Sequence, residues 1–118
     1  MRHRKTKITL DRTASQRQKL VRNLVISLVA HEKIVTTAAR AKVTRSQTER
    51  LITQAKPGTL ASPRLLLKRL NNATAVNKLI SVLGPRYKER HGGYARLIKL
   101  TPRAGDTAQR MIVELIPA

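Results

Sequence analysis

The chain has 118 residues, with 25 basic and 6 acidic side chains and a formal net charge of +19 at pH 7. That length fits one domain, and a chain of this size buries roughly two-thirds of its unfolded surface, enough for a single modest core. The absence of cysteine excludes disulfides, thiol catalysis and cysteine-based zinc sites, and no run of about eighteen apolar residues is present to span a bilayer.

A charge excess this large goes beyond what solubility requires and weakens the compact state by self-repulsion. It calls for an anionic partner: nucleic acid, an anionic membrane or an acidic protein. Aromatics are scarce, with Tyr87 and Tyr94 but no Phe or Trp. Base-stacking modules need aromatic platforms, so binding is expected to rest on phosphate and shape.

Residues 1–13 read as a basic arm. Arg2, Arg4, Lys5, Lys7 and Arg12 face one acid, Asp11, and only Met1, Ile8 and Leu10 are sizeable apolar residues there. So polar a segment cannot offset its own ordering entropy with a core, and a polyanion would order it on contact. Thr13-Ala14-Ser15-Gln16 then reads as a capping box with Thr13 as N-cap, and Ser15 with Gln18 is a second option. Leu20, Val21, Leu24, Val25, Leu28 and Val29 follow at helical spacing. Lys19, Arg22, Asn23 and Ile26 fall on the opposite side, which makes Ile26 either an incidental exposed residue or a protein contact.

Ile34, Val35 and Thr36 are β-branched and predict a short strand. Thr37 can cap a second helix from Ala38 to about Ala55, buried through Ala41, Thr44, Thr48, Leu51, Ile52 and Ala55. Lys42, Arg45, Gln47, Glu49 and Arg50 keep that helix soluble. Pro57-Gly58 ends it. Ser62 before Pro63 predicts an N-cap and first-turn proline for a third, short helix carrying Leu65, Leu66, Leu67 and Leu70. Asn71-Asn72 breaks this helix and offers the N-cap of a fourth, whose stripe is Val76, Leu79, Ile80 and Leu83. Gly84 suits a left-handed C′ position with Pro85 behind it, though a last turn through Tyr87 is an alternative. Residues 86–93 form a second basic cluster in a loop. Tyr94–Leu100 and Gln109–Ile116 read as strands that can pair antiparallel across a polar connection. The expected fold is α+β: arm, helix, strand, three helices and two strands, with residues 14–118 as one domain and a small mixed three-stranded sheet covered by helices.

No catalytic or metal constellation is visible. His31-Glu32 opens like a zinc-protease motif, but position 35 is Val, so the second ligand is missing. His3, His31 and His91 lie far apart with no carboxylate cluster, so no metal is expected. Gly92-Gly93 matches neither standard phosphate-cradle spacing and reads as a tight turn into the strand. Asn72-Ala73-Thr74 is a chance match to a glycosylation acceptor. Asp106 is expected to brace its loop as an Asx turn and to orient Arg103. No cofactor and no small-molecule substrate are expected.

Several ordered stretches resemble a known family. They are Met1-Arg2-His3-Arg4-Lys5, Leu10-Asp11-Arg12, Arg22-Asn23 with Ser27-Leu28-Val29, and His31-Glu32 with Ile34 and Thr36-Thr37. Ala41-Lys42, Leu51-Ile52-Thr53 and Ala55-Lys56 continue the set, then Gly84-Pro85-Arg86-Tyr87 and Gly92-Gly93-Tyr94 with Arg96. Arg103-Ala104-Gly105-Asp106 and Glu114-Leu115-Ile116 close it. Together they resemble the bacterial-type large-subunit ribosomal protein L17 family, with Asp11, Gln16 and Leu65 departing from its usual Asn, His and Arg. The resemblance implies a structural, non-catalytic protein of the large ribosomal subunit. It implies large-subunit rRNA and neighbouring large-subunit ribosomal proteins as partners, a cytoplasmic place in the ribosome near the polypeptide exit, and no membrane. The shared start implies no organellar presequence.

The expected RNA contacts are Arg2, His3, Arg4, Lys5, Lys7, Arg12, Arg17, Lys19 and Arg22 in the arm and first helix. Arg86, Lys88, Arg90, Tyr94, Arg96 and Arg103 are expected to form a second patch. Arginines fork onto phosphate oxygens, whereas lysines act as point charges. A nucleoid-type DNA-binding protein shares the charge argument but needs dimerisation or a groove-reading helix. A membrane-active role lacks an amphipathic basic segment.

Overall fold

The first helix, α1 (Ala14–His31), starts where the sequence places its cap: the Thr13 side chain accepts a hydrogen bond from the Gln16 N–H at 3.4 Å. A computed structural model describes His3, Arg4 and residues 6–117 of the chain. Val25, Leu28 and Val29 are the fully buried residues of α1, with Val21 half-buried beside them. Ile26 differs from expectation, because it packs against the core cluster instead of facing solvent. Helix α1 touches α2, α3 and α4 as well as the sheet strands β1 and β3. Lys19, Asn23 and Ala30 on the same side stay exposed, so Ile26 alone of that row is drawn in.

Glu32 ends α1 in the left-handed region, with φ 61°, and its N–H donates to Leu28 O at 2.7 Å. This reversal feeds directly into β1 (Lys33–Thr37). Thr37 then ends the strand and heads α2 (Ala38–Ala55), without a side-chain capping bond. Ala41, Thr44, Thr48, Leu51, Ile52 and Ala55 make up the buried face of α2, as the spacing predicts.

The third helix, α3 (Ala61–Leu70), begins one residue before Ser62. Ser62 is therefore inside the helix and buried, its hydroxyl 3.2 Å from that of Thr59. Leu66 and Leu70 enter the core, while Leu65 and Leu67 stay about half exposed. Asn71 closes α3 at φ 52°, and Asn72 caps α4 (Ala73–Lys78) by accepting from the Ala75 N–H at 2.9 Å.

Gly84 does not stop this helix as a left-handed C′ residue. Its φ is −56°, and the chain passes through a π turn (Leu79–Leu83) into a last turn, Gly84–Arg86. Two causes combine here. Pro85 has no N–H to give to an α-helical ladder, and a widened turn absorbs that loss. A Cβ at Gly84 would stand 3.2 Å from Leu79 O and 3.3 Å from Ala55 O, so the glycine is needed for close approach to the end of α2.

The last strands are β2 (Ala95–Lys99) and β3 (Arg110–Leu115), and the sheet order is β1-β3-β2. Both pairings are antiparallel, so the sheet is not mixed as expected. The hairpin from β2 fixes the direction of β3, and β1 then takes the free edge of β3, running opposite to it. Hydrogen bonds from Leu115 N to Glu32 O and from Ala38 N to Gln109 O extend that pairing beyond the strand at both ends. Helix α2 contacts all three strands and α1 contacts β1 and β3, which covers one sheet face. On the other face Val35, Ile112 and Ile98 align across the strands, and Val35 is 55% exposed. Among the described residues no helix is long and apolar enough to cross a membrane.

Thr48 is the odd member of the α2 face: it is fully buried and its hydroxyl has no hydrogen-bond partner among the described residues. An unsatisfied buried hydroxyl is a net cost, and valine has the same shape and a similar helix propensity. Thr48→Val should raise unfolding stability by about 1 kcal/mol, read as a higher urea midpoint at unchanged slope.

Candidate nucleic-acid interface

The cations of the arm are set out in solvent. His3, Arg4, Lys7 and Arg12 are all exposed, whereas Arg2 and Lys5 lie outside the described residues. The arm is not featureless. Arg12 N donates to Thr9 O at 3.2 Å, closing a turn in which Leu10 and Asp11 take φ of 54° and 53°. Arg17 reaches back from α1, its Nη1 donating to Arg12 O at 3.3 Å, so the arm joins the helix as one cationic surface. Lys19 is exposed beside it, and Arg22 lies half-buried with Nε donating to Arg69 O at 2.9 Å, at the end of α3.

The second expected group is not brought together in the same way. Arg86 places both terminal nitrogens on the Glu32 carboxylate, at 2.7 and 3.1 Å, and Lys78 joins it at 3.3 Å. The Arg86 hydrogen bonds, with Lys78 second, hold the Glu32 carboxyl below its ordinary 4.5 against the opposing effect of burial. The same carboxylate raises the Arg86 guanidinium. Arg90 turns its Nε onto the carbonyls of Gly92 and Gly93, at 3.2 and 3.1 Å, where both glycines take positive φ before β2.

Tyr94, expected among the RNA contacts, is in the core at 2% exposure. Its ring lies 5.1 Å from that of Tyr87, and its hydroxyl accepts from Lys56 Nζ at 3.0 Å and donates to Arg90 O at 3.1 Å. Burial pushes the Tyr94 hydroxyl up, but hydrogen bonds with Lys56 and Thr53, the Lys56 charge and the Gly92 backbone together leave it below the usual phenol range. Arg96 pairs with Glu114 at 3.1 Å on the open sheet face. Arg103 forks onto Asp106 at the tip of the β2–β3 connection, and Asp106 also accepts the Ala108 N–H at 3.1 Å. That is the Asx brace the sequence suggests. Arg103, followed by the Ala108 N–H, draws the Asp106 carboxyl down to about 2. Lys88 is exposed and has no ion pair among the described residues.

Tertiary packing adds a feature that no single stretch announces. A groove of about 940 Å³ opens between the arm, α1, α2 and α3. Arg17, Gln18, Val21, Arg22 and Val25 line it from α1, at helical spacing. Lys42, Val43, Ser46, Gln47, Arg50 and Leu51 do so from α2, again one stripe. Leu65, Lys68, Arg69 and Leu70 come from α3, and Thr6, Lys7 and Ile8 from the arm. Among the described residues no acid lines the groove. Sequence reasoning treats Lys42 and Arg50 as solubilising charges. Their spacing of eight, with Ser46 between, is the signal that they share one face.

The exposed arm cations and the acid-free groove make a basic surface of the kind an anionic partner would suit, and no metal-holding cluster is present among the described residues. Residues 20–116 match the family described as ribosomal protein L17. The chain is also 48% identical over 116 residues to the large ribosomal subunit protein bL17 of Pelobacter propionicus, covering 98% of this chain and 91% of that protein. The chain therefore belongs to the ribosomal protein L17 family.

The Glu32 cluster joins the end of α1 to α4 and the sheet, so its loss should be felt by the whole body. Glu32→Gln should lower stability at pH 7 by about 1 kcal/mol, a value kept small because solvent screens a partly exposed cluster. The carboxyl is depressed in the folded state, so its contribution is complete above the ordinary 4.5 and fades as pH falls through the lowered folded value. Thermal melts from pH 7 to pH 3 should show the gap between variant and wild type closing on the acid side.

Proposed function

We propose that this protein is a structural, non-catalytic constituent of the large ribosomal subunit that binds large-subunit rRNA and works in the cytoplasmic ribosome, near the polypeptide exit. The observation that carries the reading is the arm's run of exposed cations, continuous with Arg17, Lys19 and Arg22 of α1. Membership of a ribosomal protein family supplies the polyanion that such a surface needs. Phosphate contacts supply affinity through counterion release, so binding is steeply salt-dependent.

The arm and first helix do most of this work. Lys88 adds a cation with no ion pair among the described residues, and Arg90, Arg96 and Arg103 offer whatever donors their internal partners leave open. Arg86 and Tyr94 act from within, one anchoring the helix end and the other backing the turn at Gly92-Gly93. Neighbouring ribosomal proteins are the natural cover for the open sheet face, where Val35, Ile112 and Ile98 form an apolar row beside the Lys33–Glu114–Arg96 row.

Deleting residues 1–12 removes cations without touching any residue of the core cluster. The truncated chain should keep its circular dichroism spectrum and lose co-sedimentation with the large subunit in high salt. Co-sedimentation at the wild-type level would remove the arm from the reading.

A further inference from the structure

We infer that the groove between α1, α2 and α3 is a second RNA seat. It takes an unpaired strand, with phosphates along its basic rims and sugar and base faces against its aliphatic wall. This rests on the RNA-binding reading above and extends it to residues on α2 and α3 that the arm does not include.

The charge distribution points to the occupant. Lys42 and Arg50 line the groove from α2, Lys68 and Arg69 from α3, and Arg17 and Arg22 from α1. None of them makes an ion pair with an acid among the described residues. A concavity lined by one sign of charge focuses its field and raises the local concentration of the opposite ion. Such crowding of cations is unfavourable until an anion enters.

The lining favours a strand over a phosphate alone. Val21 and Val43 and the half-exposed Leu65 give the groove apolar wall between its cations. A lone anion gains nothing from these, whereas the sugar and base of a nucleotide do. A duplex in the A form presents a wide, shallow minor groove and a major groove too deep and narrow for side chains, so it does not enter a concavity between helices; unpaired nucleotides do. A volume of about 940 Å³ lies toward the upper end of the roughly 300–1,000 Å³ of ligand pockets, so it accommodates more than one nucleotide.

One bond braces the seat, and the arm adjoins it. The bond from Arg22 Nε to Arg69 O, at 2.9 Å, fixes α1 against the end of α3. Lys7 and Ile8 bring the arm to the groove's edge, so an RNA strand held by the arm continues into the groove without leaving cationic surface.

The test uses the full chain and a quadruple variant, Lys42→Gln, Arg50→Gln, Lys68→Gln and Arg69→Gln. A control of equal charge loss carries Lys33→Gln, Arg45→Gln, Arg64→Gln and Lys99→Gln, all outside the groove. Filter binding to a large-subunit rRNA transcript across a salt series reads affinity and salt slope, and circular dichroism melts confirm that both variants fold. The groove variant should lose at least about tenfold in affinity. Its log–log salt slope should fall by about 3, at roughly 0.7 per cation removed from a single strand. The control should keep a slope near the wild type. In competition, poly(U) should displace the transcript better than duplex RNA of equal nucleotide concentration, and the groove variant should lose that difference. Equal losses in groove variant and control would mean net charge alone acts, and would overturn the seat. So would a groove variant that binds like wild type, which leaves the arm reading intact. Duplex competing as well as poly(U) would overturn the unpaired strand. Wild-type protein that fails to bind the transcript would instead sink the RNA-binding reading itself.

Discussion

The constraint behind this structure is a shortage of negative charge. With 6 acids against 25 basic residues, carboxylates cannot neutralise the surface, and the fold uses them selectively. Glu32 holds Arg86 and Lys78, Glu114 holds Arg96, and Asp106 holds Arg103. Glu49 accepts the Ala95 N–H at 3.4 Å, where β2 begins. These partnerships all lie at the sheet, the hairpin tip or the junction of α1 with α4. Along the arm only Asp11 is acidic, and no acid lines the groove among the described residues. Self-repulsion is thereby relieved on the side that must hold its own shape. It is left standing along the arm and the groove.

That division explains why the same residue type plays opposite parts. Arg86 and Arg17 are both arginines beside a helix end. Arg86 meets a carboxylate fixed in place by a left-handed cap, and both ends of its fork are used. Arg17 gives one nitrogen to a backbone carbonyl and meets no carboxylate among the described residues. Charge counting on the sequence cannot separate these cases, because what distinguishes them is an acid distant in the chain.

The local features were the legible ones. The buried face of α2 follows from its spacing residue by residue, because small and β-branched side chains recur there at helical intervals. The caps at Thr13 and Asn72 and the Asx brace at Asp106 are short-range, so a few neighbouring residues specify them. Features that depend on distant packing were not legible. Gly84 looks like a stop signal until Ala55 O is known to lie against it. Ile26 looks outward by its spacing, yet in the folded chain it is drawn against the core cluster. Tyr94 looks like an available ring until Tyr87 and Lys56 enclose it. The placing of β1 on the free edge of β3 is likewise a tertiary choice, which the hairpin signal alone leaves open.

The groove belongs to the second kind for the same reason, since three helices and the arm must assemble before its cations become neighbours. Its stiffness follows from what stands behind it. Val25, Leu51 and Leu70 line the groove and also belong to the core cluster, at 4% exposure or less. The side chains that shape the cationic surface are thus the ones that cannot move without opening the core. A core that small gains little from rigidity for its own sake. Set beneath a concentration of like charges, in the seat proposed here, that rigidity would keep the cations from spreading apart, so the cost of gathering them would be met during folding and not at the moment of binding.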